Sequence, residues 1–225
     1  KRLYSWHGVR SPHHCAAWEY RRGEGNRVKC YREKLMSLRV IAGKARGHKL
    51  KTVPGKETRP ITDRVKENLF NIIGADVVES TWWDLFGGTG AVGIEALSRG
   101  ATFVRYSEMG REAINVIREN LAHCKFDGDH AEIKRGDAFA FLESAPNYAF
   151  DYIYIAPPQY KEMWLRALLL VDEHPDWLSD ESWVVVQIHP REFRGHEEVE
   201  LKNLVKFDER KYGSTLLVFY EREII

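Results

Sequence analysis

The sequence has 225 residues, of which 44% are hydrophobic and 30% are charged, and its formal net charge is +1. This length suits one main folded domain, and the balanced composition excludes a wholly disordered or collagen-like chain. Three cysteines without CxxC spacing argue against a disulfide framework or a zinc site, and no apolar run approaches the roughly 18 residues that cross a membrane. We therefore expect a cytoplasmic monomer with no membrane partner and no metal.

Residues 1–35 are the first segment, and they are rich in basic side chains. Nine lysines and arginines stand there against three glutamates, so the remainder of the chain is mildly acidic. The segment shows neither helical nor strand periodicity, and Met36 opens a stretch of different character. We predict an N-terminal extension that is either disordered or foreign to the natural protein, although such a cluster can also follow phosphates.

Residues 36–78 are predicted to form a small hairpin followed by a helix. Two strand-like runs, around 38–42 and 48–53, flank a glycine-bounded turn, which is typical of a β-hairpin. Thr62 or Asp63 can then cap a helix whose apolar residues recur at near-helical spacing, and Gly74 closes it.

Residues 79–225 are predicted to form the main domain, in which strands alternate with helices. The predicted strands are 81–86, 103–107, 131–135, 152–155 and 183–188, and the predicted helices are 91–99, 112–123, 139–143 and 163–172. This alternation predicts an α/β fold with a parallel sheet covered on both faces. The last two strand runs are joined through Tyr212-Gly213-Ser214 without a helix, so the sheet should end in an antiparallel hairpin.

A glycine-rich loop, "DLFGGTGAVG", separates the first predicted strand from the first helix of this domain. Its GxGxxG pattern, which includes Gly88 and Gly90, is typical of a dinucleotide site, and Glu108 after the second strand is placed to grip a ribose. Asp84 just before the glycines changes this interpretation. A carboxylate there would repel a pyrophosphate and attract the ammonium group of a methionine moiety, which favours S-adenosylmethionine over NAD.

A third carboxylate, Asp137 in "RGDA", follows the third predicted strand and could accept a hydrogen bond from an adenine amino group. Structural alternatives exist for all three acids, since Asp84 could cap the turn and Glu108 and Asp137 could cap helices. Their position at successive strand ends favours the cofactor, because ligands of open α/β sheets bind at the carboxyl ends of strands.

Three long stretches together resemble one known family. "RVIAGKARGHKLKTVPGKETRPITDRVKENLFNIIG", "DLFGGTGAVGIEALSRGA" and "ERKYGSTLLVFY" resemble the RsmD family, bacterial enzymes that methylate N2 of a guanine in 16S ribosomal RNA with S-adenosylmethionine. The resemblance runs from about residue 38 to the C-terminus. It implies a Rossmann-like, seven-stranded class I methyltransferase sheet and a small-ribosomal-subunit partner.

The resemblance also implies roles for particular residues. Those implied around the cofactor are Asp84, Phe86, Gly88, Gly90, Glu108, Asp137, Ala138 and Arg59. Pro60 and Arg64 would lie near the cofactor and the RNA. The hairpin would contact the RNA backbone through Lys44, Arg46 and Lys49.

The chain departs from the family at the fourth predicted strand. The family motif is Asp-Pro-Pro followed by Tyr or Phe, whereas this sequence has Ala156-Pro157-Pro158-Gln159-Tyr160. The family's polar residue accepts a hydrogen bond from the target amine, and its aromatic residue stacks on the flipped-out base. The carbonyl of Pro157, the amide of Gln159 and the ring of Tyr160 could take over these roles, with Pro158 keeping the loop rigid.

We therefore expect an enzyme that methylates a guanine N2 of small-subunit ribosomal RNA. Three alternatives remain open: a methyltransferase acting on another RNA base or a protein side chain, an RNA-binding or ribosome-assembly factor that keeps the cofactor but is weak or inactive in catalysis, and an NAD-binding oxidoreductase. Ala156 is the reason for the second alternative.

Overall fold

The computed structural model describes residues 38–54, 61–126, 128–159 and 161–223. The chain divides into two units, Lys1–Leu35 and Met36–Ile225, and every described residue belongs to the second. The predictions for 1–35 and for Arg59, Pro60 and Tyr160 therefore lie outside the described residues.

A seven-stranded sheet is the centre of the described structure. Its strands are β1 (Thr81–Asp84), β2 (Phe103–Glu108), β3 (Ala131–Arg135), β4 (Phe150–Ile155), β5 (Leu178–Ile188), β6 (Leu204–Tyr212) and β7 (Thr215–Arg222). The spatial order is β3-β2-β1-β4-β5-β7-β6. The first five strands pair in parallel, and β7 pairs antiparallel with both β5 and β6, which confirms the predicted sheet with its terminal hairpin.

Helices cover both faces of the sheet. They are α1 (Asp63–Ile73), α2 (Ala91–Arg99), α3 (Arg111–Cys124), α4 (Ala138–Leu142) and α5 (Met163–Glu173), and short 3₁₀ turns occupy Gly74–Val77 and Pro175–Trp177. The Thr62 hydroxyl accepts a hydrogen bond from the backbone N–H of Val65, and this cap starts α1. Gly74, with φ of 68°, ends the helix as predicted.

Several element boundaries differ from the prediction by one to five residues, and two of the differences have a local physical reason. Strand β1 ends at Asp84 rather than at residue 86, because the chain already turns at Leu85. Strand β5 begins at Leu178 rather than at residue 183. Its first half is polar and partly exposed, and the pairing register with β4 shifts between Phe150 and Tyr152, so this half carries no apolar alternation.

The predicted N-terminal hairpin is a narrow reversal rather than a regular two-stranded ladder. One antiparallel bridge joins Arg39 to Lys49, and the N–H of Leu50 donates to the carbonyl of Leu38 at 2.7 Å. The backbone of the turn binds helix α2 instead. The carboxylate of Glu95 accepts hydrogen bonds from the N–H groups of Ile41 and Ala42, at 2.8 and 3.0 Å.

Two hydrophobic cores lie on opposite faces of the sheet. Trp82 faces one core with the N-terminal segment, α1 and α2, and Trp83 faces the other with α4 and α5. Both indoles are fully buried, as expected for a central parallel strand covered on both sides. In the described part of the chain, no helix has the length and apolar character needed to cross a membrane.

Candidate functional site

A cavity of about 600 Å³ opens at the carboxyl ends of β1, β2 and β4. Its volume falls in the range of small-molecule sites, roughly 300–1,000 Å³. The predicted site residues that line it are Asp84, Phe86, Gly88, Glu108, Asp137, Ala138, Pro157, Pro158 and Gln159. Residues that are distant in the sequence therefore meet in one space.

The glycine loop reaches this cavity through Gly87 and Gly88. Gly90 does not line it. Gly90 precedes α2 with φ of 75° and lies against Ile117 and Tyr106, so its role is in the turn and the packing. A Cβ on Gly93 would stand 2.5 Å from the hydroxyl oxygen of Tyr106, which makes this glycine a requirement for close helix–strand packing.

Asp84 is a buried carboxylate at the end of β1, and it is 3% exposed. Burial, together with the negative charge of Glu108, raises the pKa of Asp84 to about 8. The N–H groups of Gly93 and Phe86 donate hydrogen bonds that oppose this rise. No cationic side chain of the described residues acts on Asp84, so the carboxyl group suits a cationic ligand.

The other two acids are held by backbone hydrogen bonds. The oxygens of Glu108 accept from the N–H of Gly88 at 3.0 Å and the N–H of Gly110 at 2.7 Å, which joins the glycine loop to the start of α3. Asp137 accepts from the N–H of Phe139 at 3.1 Å and caps α4. Glu108 and Asp137 therefore do stabilise the local backbone, and the same hydrogen bonds orient their carboxylates along the cavity wall.

Apolar side chains that sequence reasoning missed form much of the remaining wall. Met109 follows Glu108 and is 66% exposed, and Ala113 lies one helical turn further along. Val53 and Ile61 line the cavity from the N-terminal segment. The only sequence signal for Met109 is an apolar residue in a polar loop, whereas Val53 and Ile61 carry none.

A hydrogen-bonded pair lies under the proline loop. The hydroxyl of Tyr154 donates to Oε1 of Gln187 at 2.6 Å, and both residues line the cavity beside Ala156. Burial raises the pKa of Tyr154 well above its ordinary value, so the hydroxyl keeps its proton. Gln187 is missing from the sequence predictions, although a polar residue in the apolar run "VVVQI" was a signal.

The predicted RNA-contacting cations lie outside the cavity. Lys44, Arg46, Lys49 and Arg64 are exposed, and no described carboxylate forms an ion pair with any of them. The amide of Asn120 connects their segment to the cavity, since it exchanges hydrogen bonds with the backbone of Lys51 and donates to the carbonyl of Thr89.

This fold, with three acids at strand ends and a Pro-Pro loop across one cavity, defines a class I methyltransferase. A family model described as "Conserved hypothetical protein 95" matches residues 38–221. The chain belongs to this family, the RsmD family of S-adenosylmethionine-dependent methyltransferases. The resemblance inferred from the sequence motifs is thus confirmed.

Individual relatives agree with this assignment. The chain is 38% identical over 188 residues to "Putative rRNA methyltransferase YlbH" of Bacillus subtilis, which covers 82% of this chain and 99% of that protein. It is 33% identical over 150 residues to "Ribosomal RNA small subunit methyltransferase D" of Escherichia coli K12, covering 67% of this chain and 74% of that protein. The solved structure "Putative methyltransferase yhhF from Escherichia coli" superposes with a TM-score of 0.71 at 32% identity, covering 83% of this chain and 98% of that chain.

Proposed function

We propose that this protein transfers a methyl group from S-adenosylmethionine to N2 of a guanine in small-subunit ribosomal RNA. One observation carries the proposal: the three strand-end acids and the Pro-Pro loop line a single cavity. The names of the Bacillus subtilis and Escherichia coli relatives support a ribosomal RNA substrate.

The cavity wall offers one partner for each part of the cofactor. Asp84 suits the ammonium group, because a buried carboxylate gains most from a cationic neighbour. Glu108 suits the ribose hydroxyls, since each of its oxygens keeps a lone pair beyond its backbone contact. Asp137 suits the adenine amino group, while Phe86, Met109 and Ala138 offer apolar surface to the ring.

Methyl transfer requires little of the protein beyond aligning the cofactor with the acceptor amine. When bound, S-adenosylmethionine supplies an electrophilic methyl group, which passes to the amine nitrogen as the carbon–sulfur bond breaks and one amine proton is released. Pro157 and Pro158 stiffen the loop that carries the acceptor side of the cavity. Gln159 would contact the base from the same loop, and Tyr160 would stack on it. Most of the rate enhancement then comes from holding the two reactants at attack distance.

The N-terminal segment is proposed to hold the RNA. Lys44, Arg46, Lys49 and Arg64 have no carboxylate partner among the described residues, and they lie close in sequence to the cavity residues Val53 and Ile61. Contacts of lysine and arginine with phosphates position a nucleic acid without reading its sequence. Arg59 and Pro60 belong to the same proposal through the family resemblance.

A second candidate is an RNA-binding or assembly factor that binds the cofactor but transfers no methyl group. One observation favours it: Ala156 brings no polar side-chain atom to the loop. The loss of one oriented polar group from an active site costs on the order of 3 kcal/mol of transition-state stabilisation, which slows an enzyme without abolishing its reaction.

The deciding experiment is transfer of labelled methyl from S-adenosylmethionine to small ribosomal subunits that lack their native modifications, followed by nucleoside analysis. We expect label in N2-methylguanosine. Label in a different nucleoside would overturn the guanine N2 assignment. Cofactor binding without label in any RNA would favour the assembly factor.

A further inference from the structure

The side chain of Gln187 stands next to Ala156 on the same face of the sheet. Strands β4 and β5 pair in parallel, with Tyr154 opposite Val185 and Ile155 opposite Val186. Continued one residue past the end of β4, this register places Ala156 opposite Gln187, and both residues line the cavity. Register partners in parallel strands project to the same face, so the amide of Gln187 lies beside the position where the family motif carries its polar residue.

A hydrogen bond from Tyr154 sets the orientation of the Gln187 amide. Tyr154 is buried, and its protonated hydroxyl donates to Oε1 of Gln187 at 2.6 Å. An amide oxygen has two lone pairs, so Oε1 keeps one acceptor site, and Nε2 keeps its two donors. Gln187 therefore presents an acceptor next to a donor along the cavity wall.

Gln159 does not compete well for this role. It is exposed at the rim, and in the described part of the chain its side-chain amide has no hydrogen-bond partner. An amide that is already oriented loses less conformational entropy when it binds a substrate than one that is free to rotate.

We propose that Gln187, positioned by Tyr154, is the residue that binds the target base by its amine edge. Oε1 accepts a hydrogen bond from the exocyclic N–H, and Nε2 donates one to the neighbouring ring nitrogen. Guanine presents such an edge at N2 and N3, and adenine and cytosine present equivalent edges. Uracil has no exocyclic amine, and a lysine side chain has no acceptor beside its nitrogen. The inference rests on the proposed function and restricts its substrate to aminated nucleobases.

The test uses variants of the whole protein in the small-subunit methylation assay, with cofactor affinity measured by calorimetry. Gln187→Ala should lower kcat at least 10-fold and leave cofactor affinity within twofold. Gln159→Ala should lose less. Gln187→Glu keeps an acceptor but loses the donor, so its kcat should fall between the values of wild type and Gln187→Ala.

Three further variants separate substrate contact from a structural effect. Asn147→Ala is the matched control. The amide of Asn147 lies before the amino end of β4, whereas the cavity lies at the carboxyl end, and its oxygen accepts a hydrogen bond from Arg105. Gln187→Met keeps the side-chain length without the amide, and it decides the question if Gln187→Ala fails to fold. Ala156→Asp added to Gln187→Ala should restore activity at least fivefold, since an acceptor returns at the neighbouring position; a merely structural role of Gln187 would give no rescue.

The outcomes separate the inference from the proposed function. If the wild type methylates RNA while Gln187→Ala and Gln187→Met stay within twofold of it, the role of Gln187 is overturned and the proposed function stands. If the wild type binds the cofactor and labels no RNA, the proposed function fails, and the role of Gln187 fails with it.

Discussion

Asp84 is a buried carboxyl group that binds its proton more tightly in the folded protein than in the unfolded chain. Its pKa is raised to about 8 because it is buried and faces the charge of Glu108. The folded, ligand-free protein therefore keeps a proton on Asp84 that the unfolded chain loses near pH 4. A cation that binds here has to displace that proton at neutral pH.

The raised pKa predicts how stability depends on pH. Between about pH 4 and pH 8 the folded state binds more protons at Asp84 than the unfolded state, so the free energy of unfolding falls as pH rises and levels off above pH 8. Asp84→Asn should remove this fall, which is on the order of 4 kcal/mol between pH 5 and pH 8 at about 1.4 kcal/mol per pH unit. Urea unfolding of both ligand-free proteins at the two pH values measures it.

Asp129→Asn, at an exposed position, serves as the control and should follow the wild type. A parallel pH dependence in wild type and Asp84→Asn would show that Asp84 titrates normally. Cofactor affinity gives a second readout, because it should rise with pH up to about 8 in the wild type and be weak at every pH in Asp84→Asn.

At the scale of elements, the N-terminal reversal is held on the end of helix α2 through backbone contacts. The N–H of Lys44 donates to the carbonyl of Ser98 at 2.7 Å, and the N–H of Ala45 donates to the Ser98 hydroxyl at 2.9 Å. Gly43, with φ of 81°, is so close that a Cβ would lie 1.7 Å from the carbonyl oxygen of Ser98. Only glycine fits this approach.

We predict that Gly43→Ala displaces the turn from α2 and lowers the free energy of unfolding by about 2 kcal/mol or more beyond the cost of the backbone conformation alone. Gly47→Ala is the matched control, since Gly47 has φ of 86° and a Cβ there would meet nothing within 4 Å. Chemical denaturation of both variants measures the difference. Equal losses would mean that the turn can move away from Ser98 at little cost.

The helices and strands were predictable to within a few residues where burial or a special backbone conformation restricts which residue types can occur. Gly74 and Thr62 bound α1, and the apolar runs of β4 and β5 mark strands buried on both faces. The first half of β5 was missed because its polar, partly exposed residues resemble a loop in the sequence. The two strands of the N-terminal hairpin were predicted longer than they are, since one bridge replaces the expected ladder. The hydrogen bonds between its turn and α2 have no signal in the local sequence.

The candidate site was predictable in part for a topological reason. The carboxyl ends of parallel strands meet at one edge of a sheet, so Asp84, Glu108 and Asp137 had to converge once the strands were assigned. The GxGxxG pattern could not show which glycine faces the ligand, and Gly90 turned out to pack behind the loop. Gln187 depends on the register between β4 and β5, which a single sequence does not reveal.

At the scale of the whole molecule, positive charge is concentrated on one described segment although the net charge is only +1. We predict that replacing Lys44, Arg46 and Lys49 together by alanine weakens RNA binding for all sequences alike. The slope of log affinity against log salt should become shallower by about 2 to 3, because fewer counterions are released on binding. Filter binding to small-subunit RNA between about 50 and 250 mM salt measures this slope.

Two cations outside this segment, Lys202 and Lys211, provide the control pair for alanine replacement, since both are exposed near or on the terminal hairpin. An unchanged slope in the triple variant, or an equal change in the control pair, would place the RNA on another surface. Cofactor affinity should stay the same in every one of these variants, because none of the replaced side chains lines the cavity.

The single amide of Asn120 has a thermodynamic consequence for how the two ligands bind. It is 1% exposed and holds the backbone of Lys51, in the basic segment, and that of Thr89, in the glycine loop. We therefore expect a ligand that orders one of these two segments to order the other as well. Linkage is reciprocal, so if RNA binds the segment as proposed, the factor by which RNA tightens the cofactor equals the factor by which the cofactor tightens RNA, and release of either reactant alone is disfavoured.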